Sequence, residues 1–150
     1  MIAAVLYDRP LAFGANMTET HAPSKASNIV HWVAFVILFL MMAQPTVDNI
    51  RSMLTGVLVI GETNVEVTFS KMVLHVVAMF VGWLGLWWFL KRRKRGAYMS
   101  IAAHFLGLRG VLTQTPEMLD SFSPAAIAVF FVILLTVALG PIKMFKDEYH

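Results

Sequence analysis

No cysteine occurs among the 150 residues. Disulfides, thiolate metal sites and cysteine nucleophiles are thereby excluded, although the compartment stays open. Charge is scarce too: Asp, Glu, Lys and Arg together make up 14% of the chain, against about 25% in an average soluble domain. The shortage is sharpest inside the long apolar runs, none of which holds an Asp or Glu, so an acid-based proton relay or ion site of the usual intramembrane kind is missing. There is also no Walker loop, no His-Glu-x-x-His, no Gly-x-Ser-x-Gly and no Cys-x-x-Cys. No residue is assigned a catalytic role, and the chain does not read as an enzyme.

What the sequence does have is apolar length. Hydrophobic residues make up 58%, and even a soluble domain of roughly 150 residues buries only about 70% of the surface its chain exposes. The solvent for the remainder must be lipid. Three runs qualify as spans: residues 29–44, 72–90 and 124–142. The first is short, since its 15 residues up to Ala43 cover only about 22 Å of a hydrocarbon core roughly 30 Å thick, and Gln44-Pro45 closes it. A signal peptide is the rival reading of that run, disfavoured by the length of what precedes it. The second carries Trp83, Trp87 and Trp88 in its C-terminal half and is followed at once by Lys91, Arg92, Arg93, Lys94 and Arg95. Aromatic residues favour the headgroup level, and a basic run directly after a span marks the cytoplasmic end. The third starts at Pro124, a residue suited to a first helical turn, with Ser121 or Ser123 as cap.

The fold class expected is therefore an all-α membrane protein with about three transmembrane helices, a short extracytoplasmic β-hairpin and a cytoplasmic interfacial amphipathic helix. The hairpin belongs to the loop at 45–71, where Val57 to Ile60 and Val65 to Phe69 flank a Gly-Glu-Thr-Asn turn. The interfacial helix belongs to the basic loop at 91–123, where Tyr98, Ile101, Ala102, Phe105, Leu108 and Leu112 recur at helical spacing and Ser100, His104 and Arg109 fall on the other side. With three spans the tail at 1–28 and the loop at 91–123 share a side and together hold eight Lys and Arg, against four in the loop at 45–71 and the tail at 143–150. The positive-inside rule then places the N-terminus in the cytoplasm and His150 outside, with a bacterial inner membrane as the expected setting.

Five histidines remain. His75 lies one turn inside the second span, and Ala78, Gly82 and Gly85 follow it on the same side of the helix. Small residues at that spacing admit a neighbouring helix, with His75 hydrogen-bonding its backbone. The sharper possibility is that His75 ligates the metal of a tetrapyrrole, because imidazole is the common protein ligand for haem iron. In pairing a membrane histidine with tryptophans further along one helix, residues 72–90 resemble the light-harvesting polypeptides of purple bacteria. The resemblance implies a bacteriochlorophyll on His75; Lys71 departs from the small residue those polypeptides usually have four positions before the histidine. His31 reads as an interfacial hydrogen-bonding residue and His104 as solvated, while His21 and His150 lie in tails.

The expected function is that of an accessory or structural subunit of a multi-subunit integral membrane complex, without catalytic chemistry of its own. Its partners would be other membrane subunits or copies of itself, with anionic lipids on the basic run and no nucleic acid. The alternative is a haem- or bacteriochlorophyll-binding subunit of a respiratory or photosynthetic complex. A component of a secretion or transport assembly comes third, because the spans offer few polar residues to line a path.

Overall fold

The computed structural model describes residues 23–60, 63–114, 116 and 122–150. It is mostly helical, with α1 (Lys25–Thr55), α2 (Phe69–Leu90), α3 (Lys94–Gln114) and α4 (Pro124–Met144), and with two strands, β1 (Val57–Ile60) and β2 (Thr63–Glu66), between α1 and α2. Of the tail expected over residues 1–28, residues 1–22 lie outside the described residues, as do residues 61–62 of the expected Gly-Glu-Thr-Asn turn. Helices α1, α2 and α4 are long and apolar enough to cross a membrane. Their outward side chains agree with that solvent: Leu40, Phe80, Val129 and Val132 are all more than half exposed.

Local chemistry sets the helix ends. The Ser24 hydroxyl accepts the Ser27 N–H at 3.1 Å to start α1, and Ser123 accepts the Ala126 N–H at 3.1 Å to start α4, with Pro124 in its first turn. α1 stops at Gly56, whose φ of 70° suits a residue without Cβ and lets its N–H reach the Ser52 carbonyl at 2.8 Å. The expected end of the first span at Gln44-Pro45 is therefore corrected: α1 runs through Pro45 and on to Thr55. Side chains hold the helix past the break, with Thr46 Oγ1 donating to the Met42 carbonyl at 2.7 Å and Ser52 Oγ to the Asp48 carbonyl at 2.7 Å. The strands pair antiparallel from Val57↔Glu66 to Ile60↔Thr63, and Leu58 is buried beneath them.

The helix expected in the basic loop is α3, which turns back along α2. A Cβ built on Gly85 would lie 2.8 Å from the Ser100 N and 3.0 Å from the Gly96 O, one on Gly82 would lie 3.3 Å from the Ala103 Cβ, and one on Gly110 would lie 3.1 Å from His75 Nε2. These contacts run in opposite order along the two chains, so the helices are antiparallel over most of their length. The reason is a stripe of small residues, Gly96, Ser100, Ala103, Gly107 and Gly110, spaced alternately four and three apart. It faces the His75, Ala78, Gly82 and Gly85 stripe of α2, and the two backbones close to near contact. The apolar positions Tyr98, Phe105 and Leu112 face outward instead.

Four antiparallel helices return the chain to where it began. The start of α1, the turn between α2 and α3 and the C-terminal residues after α4 meet at one end: Lys94 N–H donates to the His150 carbonyl at 2.7 Å, His150 N–H to the Arg92 carbonyl at 3.0 Å, and Ser24 N–H to Glu148 at 3.2 Å. The 91–95 run and the 143–150 tail, expected on opposite sides of a membrane, thus lie at one end of the helix bundle.

Reporters fused after Lys94 and after His150 should accordingly give the same side of the membrane; opposite sides would mean that α3 does not cross with α2. The stripe predicts a graded series by unfolding in mixed micelles. Gly85→Leu, which drives into backbone, should cost about 1–3 kcal/mol. Gly82→Leu meets mainly the movable end of Met42 and should cost less, and Gly140→Leu, with open space around it, should stay within about 0.5 kcal/mol.

Candidate functional site

Two groups of side chains stand out, one at each half of the bundle. Toward the hairpin end, the four helices line a half-open cavity of about 670 Å³. Its walls are mainly apolar, with Met42, Ala78, Met79, Leu108, Ile127 and Phe131 among them, and a few polar groups of α1, Gln44, Thr46, Asp48 and Asn49, line one side.

Two imidazoles reach this cavity from neighbouring helices. His104 Nδ1–H donates to the Ser100 carbonyl one turn earlier at 2.7 Å, so its Nε2 is the nitrogen left with a lone pair, and that atom is buried without a partner. The ring also lies against Phe130, centroids 5.5 Å apart. His75 Nε2 is likewise buried and without a partner; the ring edge packs against Gly110, where a Cβ would come within 3.1 Å of that nitrogen. On α1, Pro45 offers no N–H to the Met41 carbonyl. That carbonyl faces the His104 ring without closing a hydrogen bond to Nε2.

Among the described residues, no three His, Cys, Asp or Glu side chains converge, so a bare metal ion finds no protein ligand set. A metal that arrives with its own equatorial ligands needs only one or two imidazoles. Of the residues marked by the sequence, Ala78 lines the cavity beside His75, while Gly82 and Gly85 lie further along α2 against Met42, Ala103 and α3. His104 was placed on a solvated face by its polarity; the signal that finds it is the small-residue stripe, which turns Ser100 and His104 toward α2 and the bundle interior.

At the opposite end a polar clamp fastens the C-terminus. Arg92, held at φ 54° in the tight α2–α3 turn, donates from Nη1 to Ser27 Oγ at 2.8 Å and to Glu148 Oε2 at 3.0 Å, and from Nη2 to Asn28 Oδ1 at 2.6 Å. The Ser27 hydroxyl donates in turn to Glu148. Tyr149 is buried, shares a 2.8 Å hydrogen bond with His31 Nδ1, and packs with Phe89, on which the His31 ring stacks. Of the basic run, Lys91 sits over the Trp87 ring and Arg95 over Trp88.

Comparison of the chain with models of known families, with curated proteins and with solved structures gives no match.

The clamp should depend on pH at both extremes. Glu148 is held below its ordinary pKa, first by the Ser27 hydroxyl and then by the Ser24 amide and Arg92. A depressed carboxylate contributes stability above its unfolded pKa and loses it as pH falls through the folded value. Burial pushes Tyr149 up to about 12, so its contribution is complete below about 10, the free tyrosine value, and is lost as pH rises toward 12. Carboxypeptidase should therefore trim the tail slowly from about pH 5 to 9, and faster on both sides of that window. A trimming rate that follows only the enzyme's own pH profile would count against the clamp.

Proposed function

We propose that the chain is a non-catalytic subunit of a larger integral membrane complex and that it holds one metallotetrapyrrole, a haem or a bacteriochlorophyll, in the cavity between its four helices. The observation that carries this reading is that His75 and His104, each with a buried Nε2 that has no hydrogen-bond partner, both line one apolar cavity. Buried polar atoms are rarely left unsatisfied in a finished protein, so two in one cavity favour a ligand that completes them. The volume lies within the range of about 300–1,000 Å³ typical of small-molecule sites. His104 also has the support that a metal-ligating imidazole needs: its other nitrogen is committed to a backbone carbonyl, which fixes tautomer and ring plane. When bound, the group would supply electron transfer or light absorption; the chain's own contribution is an oriented imidazole, an aromatic wall at Phe130 and exclusion of water.

The membrane arrangement proposed with it has four crossings, α3 passing beside α2. Lys25, the 91–95 run, Lys143 and Lys146 then lie at one face and only Arg51, Lys71 and Arg109 at the other. By the positive-inside rule the clamped end is cytoplasmic and the hairpin is outside, in a bacterial inner membrane. α3 fails simple hydropathy as a span because its inner face is glycine, alanine, serine and histidine. The exposed apolar faces of α1 and α4 supply surface for lipid and for other subunits.

A purely structural subunit is the second reading. The Met41 carbonyl favours it, since a shift of His104 with its proton moved from Nδ1 to Nε2 would let the ring donate to the carbonyl that Pro45 leaves open, in place of the Ser100 carbonyl. Absorbance separates the two. Protein purified from its native membrane should show a band at about 400 nm or in the near infrared, and His104→Gln should shift or abolish it. His75→Gln should alter the band less if His104 is the ligand. Colourless native protein would overturn the tetrapyrrole reading and leave the structural one.

A further inference from the structure

We propose that a groove between the start of α3 and the end of α4 binds the headgroup of one anionic phospholipid from the surrounding leaflet. The groove has a volume of about 350 Å³ and is lined by Lys94, Tyr98, Leu139, Ile142, Lys143 and Lys146. Three ammonium groups from chain segments some fifty residues apart face one space, and no carboxylate is among the lining residues. Of the other basic residues at this end, Arg92 pairs with Glu148, and Lys91 and Arg95 lie over tryptophan rings. Lys94, Lys143 and Lys146 have no carboxylate partner among the described residues. Three like charges around one groove repel unless an anion lies between them.

The remaining wall decides which anion. Leu139 and Ile142, near the end of an apolar helix, offer nothing to a free phosphate, but they give the glycerol and first acyl carbons of a lipid an apolar surface that continues toward the membrane interior. Tyr98, more than half exposed, sits where an interfacial aromatic residue is expected. Basic pockets between helices at the cytoplasmic side suit such headgroups. The site stands independently of any ligand in the central cavity. It also differs from general attraction by the basic run, because two of its three lysines come from the C-terminal end of α4 and the turn beyond it.

The test is native mass spectrometry of the full chain released from mixed micelles of phosphatidylglycerol and phosphatidylcholine. One phosphatidylglycerol should be retained in preference to phosphatidylcholine. Lys143→Gln with Lys146→Gln should weaken its retention about thirtyfold, the effect of two lysines' attraction. Lys143→Arg with Lys146→Arg should keep it, and Lys91→Gln with Arg93→Gln should leave it nearly unchanged while removing the same net charge. Equal loss from both glutamine pairs would overturn the groove in favour of a diffuse basic surface. Equal retention of phosphatidylcholine would remove the charge requirement, and displacement of the lipid by millimolar inorganic phosphate would show an anion site without lipid character; either result contradicts the proposal.

Discussion

The missing side chains at Gly85 and Gly96 let the backbones of α2 and α3 approach to contact, and the positions of the other elements follow from that approach. Inside a bilayer there is no hydrophobic force between helices, because lipid tails are as apolar as leucine. What remains is close van der Waals packing and hydrogen bonding, and both are concentrated along this seam. Small residues alternate four and three apart on α3 and meet the matching stripe on α2. Ser100 is buried in the middle and gives its hydroxyl to the Gly96 carbonyl, so even the polar atom on the seam is satisfied.

Once α3 returns beside α2, α4 must end where α1 begins. That geometry makes the clamp possible: Arg92 stands in the turn between α2 and α3 and reaches Ser27 and Asn28 of α1 and Glu148 beyond α4. Each surface ion pair alone is worth little, but here one guanidinium satisfies acceptors from two other segments, and Tyr149 adds a large buried ring hydrogen-bonded to His31. The same return sets the central cavity. Ser100 and His104 face inward only because the small-residue side of α3 faces inward, and the His75 ring can pack against α3 because Gly110 has no side chain there.

Much of this was legible from sequence. Apolar length identified three helices that suit a membrane, and two strands pair in the loop after the first of them, the second over Thr63–Glu66 and not from Val65 to Phe69. The small face of α2 was visible in Ala78, Gly82 and Gly85, yet its partner was sought in another subunit. The partner is α3, placed in the interface by its apolar stripe through Tyr98, Phe105 and Leu112. Those three side chains are exposed, while Gly96, Ser100, Ala103 and Gly110 lie against α2. Pro45 misled because hydroxyls at Thr46 and Ser52 hold helical carbonyls past the break. His31 and Tyr149, 118 positions apart in the chain, could not have been paired without the fold.

Everything therefore rests on α3 lying within the bundle against α2. A chain without native cysteine allows this to be tested by a single cross-link. A Cβ at position 82 would lie 3.3 Å from that of Ala103, close to the separation of about 3.5–4.5 Å found in disulfides. The double variant Gly82→Cys, Ala103→Cys should oxidise readily in membranes. Trypsin cleavage in the 91–95 run should then leave the two halves joined until a reductant is added. Halves that separate without reductant, under oxidation that cross-links a control pair built within one helix, would contradict the account.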